Sequence, residues 1–206
     1  LPLMVDGPDG KKIVIAEADL MDYPGLYLYN SNADSALESR FAPYPDEVKQ
    51  GGHNNLQMEV QTGKPYIAEC EGETSFPWRI VAVSENDVQM ADNDMVYRLA
   101  TPADPAADWS WVKPGKVAWE WWNAWNLRGV DFYTGVNNDT YKYYIDFASK
   151  NGVEYVILDE GWAVNLKADL FQVVPEINLE ELVEYATERN VGLILWAGYW
   201  AFDRDM

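Results

Sequence analysis

The sequence is poor in the residues from which many active sites are built. It holds one cysteine, Cys70, and one histidine, His53. A single cysteine cannot form an intramolecular disulfide, and Cys/His zinc chemistry lacks its ligands. Cys70 lies between Glu69 and Glu71, a setting that does not suit a thiolate nucleophile, so it reads as a packed strand residue. Basic residues are also scarce: 15 Lys and Arg face 34 Asp and Glu, for a net charge of -19. Such a surface repels nucleic acid and anionic membrane, which excludes both as expected partners. No apolar run approaches the roughly 18 to 20 residues of a membrane-spanning helix. The chain opens on Leu1-Pro2 with no signal sequence, as a processed protein or a piece of a longer one would.

Aromatic residues, by contrast, are abundant. Nine of the ten tryptophans fall between Trp109 and Trp200, and only Trp78 lies earlier. They gather as Trp119, Trp121, Trp122 and Trp125, then Trp162, then Trp196 and Trp200. Carboxylates and carboxamides stand beside them: Glu120, Asn123, Asn126, Asp159 and Glu160. A pyranose ring stacks its C–H faces on indole and needs paired donors and acceptors for its hydroxyls. The pattern points to carbohydrate. The apolar fraction of 48% is ample for a folded core.

Two architectures share the chain. Up to about Ala107 the reading is antiparallel β, with strands expected at Lys12 to Ala16, Leu26 to Tyr29, Leu56 to Val60, Pro65 to Cys70 and Trp78 to Val83. Short alternating strands between turn signals suggest a sandwich. Residues 101–107 contain two prolines and no periodicity, as a linker does. After it, Lys116 to about Trp122 opens a strand, and Asn138 to Asn151 forms a helix. That helix carries Tyr141, Tyr144, Ile145 and Ala148 on one face and stops at Gly152. Tyr155 to Leu158 is a buried strand. Asn178 caps a second helix with Glu181 as capping-box partner and Leu179, Leu182, Val183 and Ala186 as its apolar face. Val191 to Trp196 is a third buried strand.

The order β-α-β-α-β with apolar strands means parallel strands and right-handed crossovers. No Gly-rich phosphate loop follows the first strand, so a (β/α)₈ TIM barrel is favoured over a nucleotide fold. The expected organisation is an incomplete sandwich with linker over 1–108 and the first three units of a barrel over 109–206. Ligands meet such sheets at the carboxyl ends of the strands. Each strand end here bears an aromatic-polar cluster, which makes Trp121, Trp122, Asn123, Asp159, Glu160 and Trp196 the candidate substrate-binding residues. Adjacent Asp159 and Glu160 point opposite ways, so at most one faces a pocket. Trp162 reads as packing, while Trp125, Tyr199 and Trp200 read equally as loop packing or platforms. His53 reads as a turn residue, and Glu17 as a salt link or turn contact.

A series of motifs resembles glycoside hydrolase family 97. It comprises Phe76-Pro77-Trp78-Arg79, Ser110 to Lys116, Trp121-Trp122, Tyr144 to Ala148 and Leu158-Asp159-Glu160-Gly161-Trp162. The likeness runs from Glu17-Ala18-Asp19-Leu20 to Trp200. It implies an N-terminal β-sandwich joined to a (β/α)₈ catalytic barrel, and an exo-acting α-glycosidase acting on oligosaccharides or glycosides. It also implies calcium dependence, with ligands mostly outside this chain, and a periplasmic or secreted bacterial location. Inverting members use a Glu at the end of the third strand as base; the same placement here falls on Gly198, with Trp196 where those members have a His. That departure resembles the retaining branch, typically α-galactosidases, whose nucleophile Asp and acid/base Glu would lie beyond Met206. No catalytic or metal residue is therefore assigned within the chain, and the segment alone is expected to be inactive. A non-catalytic carbohydrate-binding protein, an inverting α-glucosidase and a barrel of a related α-galactosidase family are the alternatives.

Overall fold

The structure, a computed structural model, describes residues 2–30, 36–164, 167 and 169–205. It is a mixed α/β fold whose residues divide into two compact units, 1–47 with 61–107, and 48–60 with 108–206. Residues 48–60, counted with the first part on sequence grounds, cluster with the second unit.

In the first unit, β1 (Leu3–Asp6) and β2 (Lys12–Ala18) pair antiparallel around the Asp9-Gly10 turn, where both residues adopt positive φ. β3 (Tyr27–Tyr29) pairs with β4 (Glu38–Arg40). β5 (Pro45–Gly51) and β6 (Gln57–Gly63) make a further two-stranded sheet, of which residues 48–51 and 57–60 belong to the second unit. β7 (Trp78–Ser84) pairs antiparallel with β2 to give the order β1-β2-β7. Alternation along β7 buries Ile80, Ala82 and Ser84 and exposes Val81 and Val83. Glu17 accepts from the backbone N–H of Leu26 with both oxygens and pairs with Arg79 at 2.8 Å, so a salt link is what the structure shows. Two short helices, α1 (Asp87–Ala91) and α2 (Met95–Leu99), follow β7.

Pro65 to Cys70 does not form the expected strand. Pro65 has no N–H to give a ladder, and the chain is tied instead by Lys64 N–H to Tyr44 O and Tyr44 N–H to Tyr66 O, each 2.8 Å. Cys70 is accordingly exposed and not packed in a strand.

The second unit is built on a parallel sheet of β8 (Val117–Trp119), β9 (Tyr155–Leu158) and β12 (Gly192–Leu195), with β9 in the centre. α3 (Asn138–Asn151) has the bounds its periodicity predicts. Asn137 caps its start, and Gly152, in the left-handed conformation, ends it. Tyr141, Ile145 and Ala148 of α3 are wholly buried with Val156 and Leu158 of β9 and Leu182 of α4 (Leu179–Glu188). Each such Leu or Ile contributes about 1.5–3 kcal/mol through burial.

Several details differ from the sequence expectations. Val183 is 52% exposed, so the buried face of α4 rests on Leu182 and Ala186. Asn178 does cap α4, accepting from Glu181 N–H at 3.1 Å. The reciprocal bond is absent, because Asn138 Oδ1 accepts the Asn178 N–H at 2.9 Å while the Glu181 carboxylate pairs with Lys142. β8 ends at Trp119, and residues Glu120–Asn123 turn into a 3₁₀ helix where extended chain was expected. β12 is an edge strand of this sheet, leaving Ile194 and Leu195 exposed where a buried strand was expected. Between β9 and α4 the chain inserts an antiparallel pair, β10 (Ala163–Val164) and β11 (Asp169–Val173), and α5 (Tyr199–Asp205) follows β12. Among the described residues no helix is long and apolar enough to cross a membrane.

The packing predicts opposite outcomes for two aliphatic truncations. Ile145→Ala in the complete protein should lower stability by roughly 2–5 kcal/mol through the cavity it leaves. Val183→Ala should stay within about 0.5 kcal/mol of the unchanged protein, because its side chain is largely solvated. Chemical denaturation measures both.

Candidate active site

Because β8, β9 and β12 run parallel, the residues that follow them emerge at one end of the sheet. Asn123, Asp159 and Trp196 share that end. The structure ties the first two strand ends together through a buried pair of carboxyl groups. Glu120, the first residue past β8, is wholly buried. Its Oε1 accepts from the backbone N–H of Asp159 at 2.8 Å and from the Tyr141 hydroxyl at 2.9 Å. Its Oε2 is buried with no hydrogen-bond partner among the described residues. Asp159, the first residue past β9, is only 5% exposed. Its Oδ2 accepts from Trp119 Nε1 at 2.5 Å and its Oδ1 from the Glu160 N–H at 2.6 Å.

Burial raises the Glu120 carboxyl above its ordinary range, and the nearby Asp159 charge adds to that effect, against the bonds from Asp159 N–H and Tyr141 that favour ionisation. Burial likewise pushes the Tyr141 phenol well up, helped by the Glu120 charge.

Above this pair stand three indoles. Trp119 stacks on Trp121 with centroids 5.7 Å apart and 26° between planes, and meets Trp122 edge-on at 5.3 Å. Trp121 and Trp122 are 48% and 74% exposed, so both retain free ring surface. Asn123 is drawn into the turn that follows. Its Oδ1 accepts from Tyr144 OH at 2.7 Å, and it exchanges amide-to-carbonyl bonds of 2.8 Å with Asn126. Ala124 and Trp125 both adopt positive φ there, a cost that these bonds offset.

The other candidates lie across β9. Glu160 is half-buried, and its carboxylate takes a hydrogen bond from Asn54 Nδ2 and lies 3.7 Å from His53 Nε2. Glu160, Trp196, Gly198, Tyr199, His53 and Leu56 line an open cleft of about 510 Å³. Trp162 is buried, donating its Nε1–H to the Trp196 carbonyl at 2.8 Å, and so supports the cleft from beneath. Leu56 packs with Ala201, Trp196 and Trp200 in a small apolar cluster. The β5–β6 turn therefore furnishes one wall of the cleft. Nothing in the local sequence around His53 announces that role, since its partners stand more than a hundred residues away. Glu120 was also passed over as a site residue; the cue available was a charged residue at the close of an apolar strand.

Of the six sequence candidates, Trp121 and Trp122 present open faces, Glu160 and Trp196 line the cleft, and Asp159 and Asn123 are spent on internal bonds. Among the described residues no group of three or more His, Cys, Asp or Glu could hold a metal ion.

Comparison with known proteins places this arrangement in a family. The family model for Glycosyl-hydrolase 97 N-terminal matches residues 1–102, and that for Glycoside hydrolase 97 matches residues 121–206. The chain belongs to glycoside hydrolase family 97. It is 61% identical, over all 206 residues, to a protein named retaining alpha-galactosidase from Bacteroides thetaiotaomicron, and spans 31% of that relative's length. A probable retaining alpha-galactosidase from Streptomyces bingchenggensis is 34% identical over 131 residues, 61% of this chain and 19% of its own. Among solved structures, a family 97 enzyme from Pseudoalteromonas sp. strain K8 in complex with acarbose superposes with a TM-score of 0.65 at 25% identity. That match covers 93% of this chain and 28% of the other.

The buried Glu120 gives a signed pH prediction. A carboxyl whose folded pKa is raised holds its proton longer folded than unfolded, so its ionisation destabilises the fold as pH rises from the ordinary value of 4.5 through the raised one. Glu120→Gln keeps the accepting oxygen and removes the ionisation. The variant should therefore gain thermal stability relative to the unchanged protein as pH moves from 4.5 toward neutral. A stability difference that is flat across this window would contradict the assignment.

Proposed function

We propose that this chain is part of a retaining α-galactosidase that removes terminal α-linked sugars from glycosides or oligosaccharides. The observation that carries the reading is Gly198. Family resemblance puts this residue, just past β12, where inverting members hold their catalytic base. Gly198 is buried, and a Cβ built on it would stand 2.8 Å from Leu56 O and 3.0 Å from Leu56 Cβ. The β5–β6 turn thus fills the space into which a base would project. Inversion needs a carboxylate holding water on the far face of the sugar, with roughly 6.5–9.5 Å between carboxyls. Retention brings the two carboxyls to roughly 5–5.5 Å, so that one attacks the anomeric carbon directly and the other serves as acid, then base. No carboxyl of this chain is assigned to either role; on the resemblance they belong to later strands of the barrel.

The names of the two relatives and the acarbose held by the structural neighbour support a glycoside substrate. A sandwich over 1–108 followed by the opening units of a (β/α)₈ barrel over 109–206 is the architecture that goes with this reading. The apolar edges of the parallel sheet support it: Val117 and Trp119 on β8, and Ile194 and Leu195 on β12, are exposed and suit further strands on both sides. In this reading Trp121 and Trp122 stack on sugar, and Glu160 and Trp196 contact it from the cleft. Calcium and a periplasmic or secreted location belong to the reading by resemblance alone, and no step is routed through the metal.

Proton NMR of the complete protein acting on an aryl α-galactoside tests the stereochemistry. The first-formed sugar should be the α-anomer, observed before mutarotation. Initial appearance of the β-anomer would refute retention.

A further inference from the structure

We propose that Asp159 and Glu120 form a positioning relay that fixes the indole trio Trp119, Trp121 and Trp122 for stacking on a sugar ring. The assignment rests on the glycosidase reading for its ligand and on the strand-end geometry for its parts.

Trp119 is the hub of the trio. It alone is the last residue of β8, stacked on Trp121 and edge-on to Trp122. An indole has one donor, and here it is spent on Asp159 Oδ2 at 2.5 Å. That charge-assisted bond sets the rotation of the ring, and the ring sets its two neighbours. Asp159 is held in turn. Its N–H goes to Glu120 Oε1 and its Oδ1 receives Glu160 N–H, so each of its polar side-chain atoms and its N–H has a named partner. The latch is reciprocal. The residue after β8 grips the end of β9, and the residue after β9 grips the last residue of β8. Tyr141 OH, donating to the same Glu120 oxygen at 2.9 Å, fastens the latch to α3. Asp159 therefore acts through Trp119 and does not itself touch sugar. The Oδ1 of the same residue accepts from the backbone N–H of Glu160, which lines the cleft, so one carboxylate fixes both the platform and the cleft wall.

The chemistry separates two mild substitutions. Both Asp159 oxygens face N–H donors. In Asp159→Asn the amide turns an N–H toward one of them, and one bond is lost. In Glu120→Gln the accepting oxygen keeps both its donors, and the new amide occupies the place of Oε2, which has no hydrogen-bond partner among the described residues.

Both variants, and Trp119→Phe as a second way to break the same bond, are made in the complete protein and read in two ways. Kinetics on an aryl α-galactoside should show Asp159→Asn and Trp119→Phe raising KM roughly tenfold with kcat within about twofold, as for lost ground-state binding. The exciton-coupled circular dichroism of the stacked indoles, which needs no substrate, should weaken in Asp159→Asn and persist in Glu120→Gln. An unaltered indole signal in Asp159→Asn, or a fall in kcat at constant KM, would overturn the relay. If the unchanged protein hydrolyses no α-galactoside, the glycosidase reading fails, and the indole signal alone decides the relay. If Asp159→Asn does not fold, the Trp119→Phe kinetics decide it by the same KM criterion.

Discussion

One carboxylate oxygen, Glu120 Oε1, accepts from the backbone N–H of Asp159 and from the hydroxyl of Tyr141 in a fully buried position. Burying a carboxyl is costly unless it is hydrogen-bonded, and here only one oxygen is satisfied. The cost is tolerated because this oxygen joins three elements: the turn after β8, the start of the turn after β9, and α3. Together with the bond from Trp119 Nε1 to Asp159 Oδ2, it fixes how the ends of two adjacent strands meet. The indole trio, the inward turn of Asp159 and the outward turn of Glu160 all follow from that junction. Such buried polar junctions fix a single arrangement more than they add net stability.

The second constraint is the absence of a side chain at Gly198. It lets the Leu56 carbonyl approach to a distance no Cβ would allow, and so admits the β5–β6 turn to the end of β12. That turn brings His53 and Asn54 to Glu160, turning a bare strand end into a cleft with a polar edge and an aromatic floor. The missing side chain at Gly198 and the reach of the turn are thus one structural fact, and the retaining mechanism proposed above needs no base at this position.

Much of the second unit was legible in the sequence. The 3.6-residue periodicity from Asn138 to Asn151, the apolar run Tyr155 to Leu158 and the Asn178 cap are local signals, and local hydrogen bonding enforces them. Placement of the aromatic clusters at one end followed from strand order alone. What was illegible depends on distant partners. The 3₁₀ turn at Glu120–Asn123 replaces extended chain because Glu120 is pulled to Asp159 and Tyr141, 39 and 21 residues away. The role of residues 48–60 hangs on contacts with Glu160 and Gly198. The segment Pro65 to Cys70 has strand-like composition, yet proline denies it a ladder. Glu181 is drawn to Lys142 on a neighbouring helix, so the capping box that its spacing suggests is completed by Asn138 instead.

We propose that the carboxyl ends of β8, β9 and β12 together form the sugar site. A crystal structure of the complete protein with an unhydrolysed thio-α-galactoside tests it most directly. A pyranose ring is expected against the free faces of Trp121 or Trp122, with hydroxyls reaching Glu160 beside Trp196 and with Asp159 still bonded to Trp119. A sugar bound with all four of Trp121, Trp122, Glu160 and Trp196 untouched would contradict it.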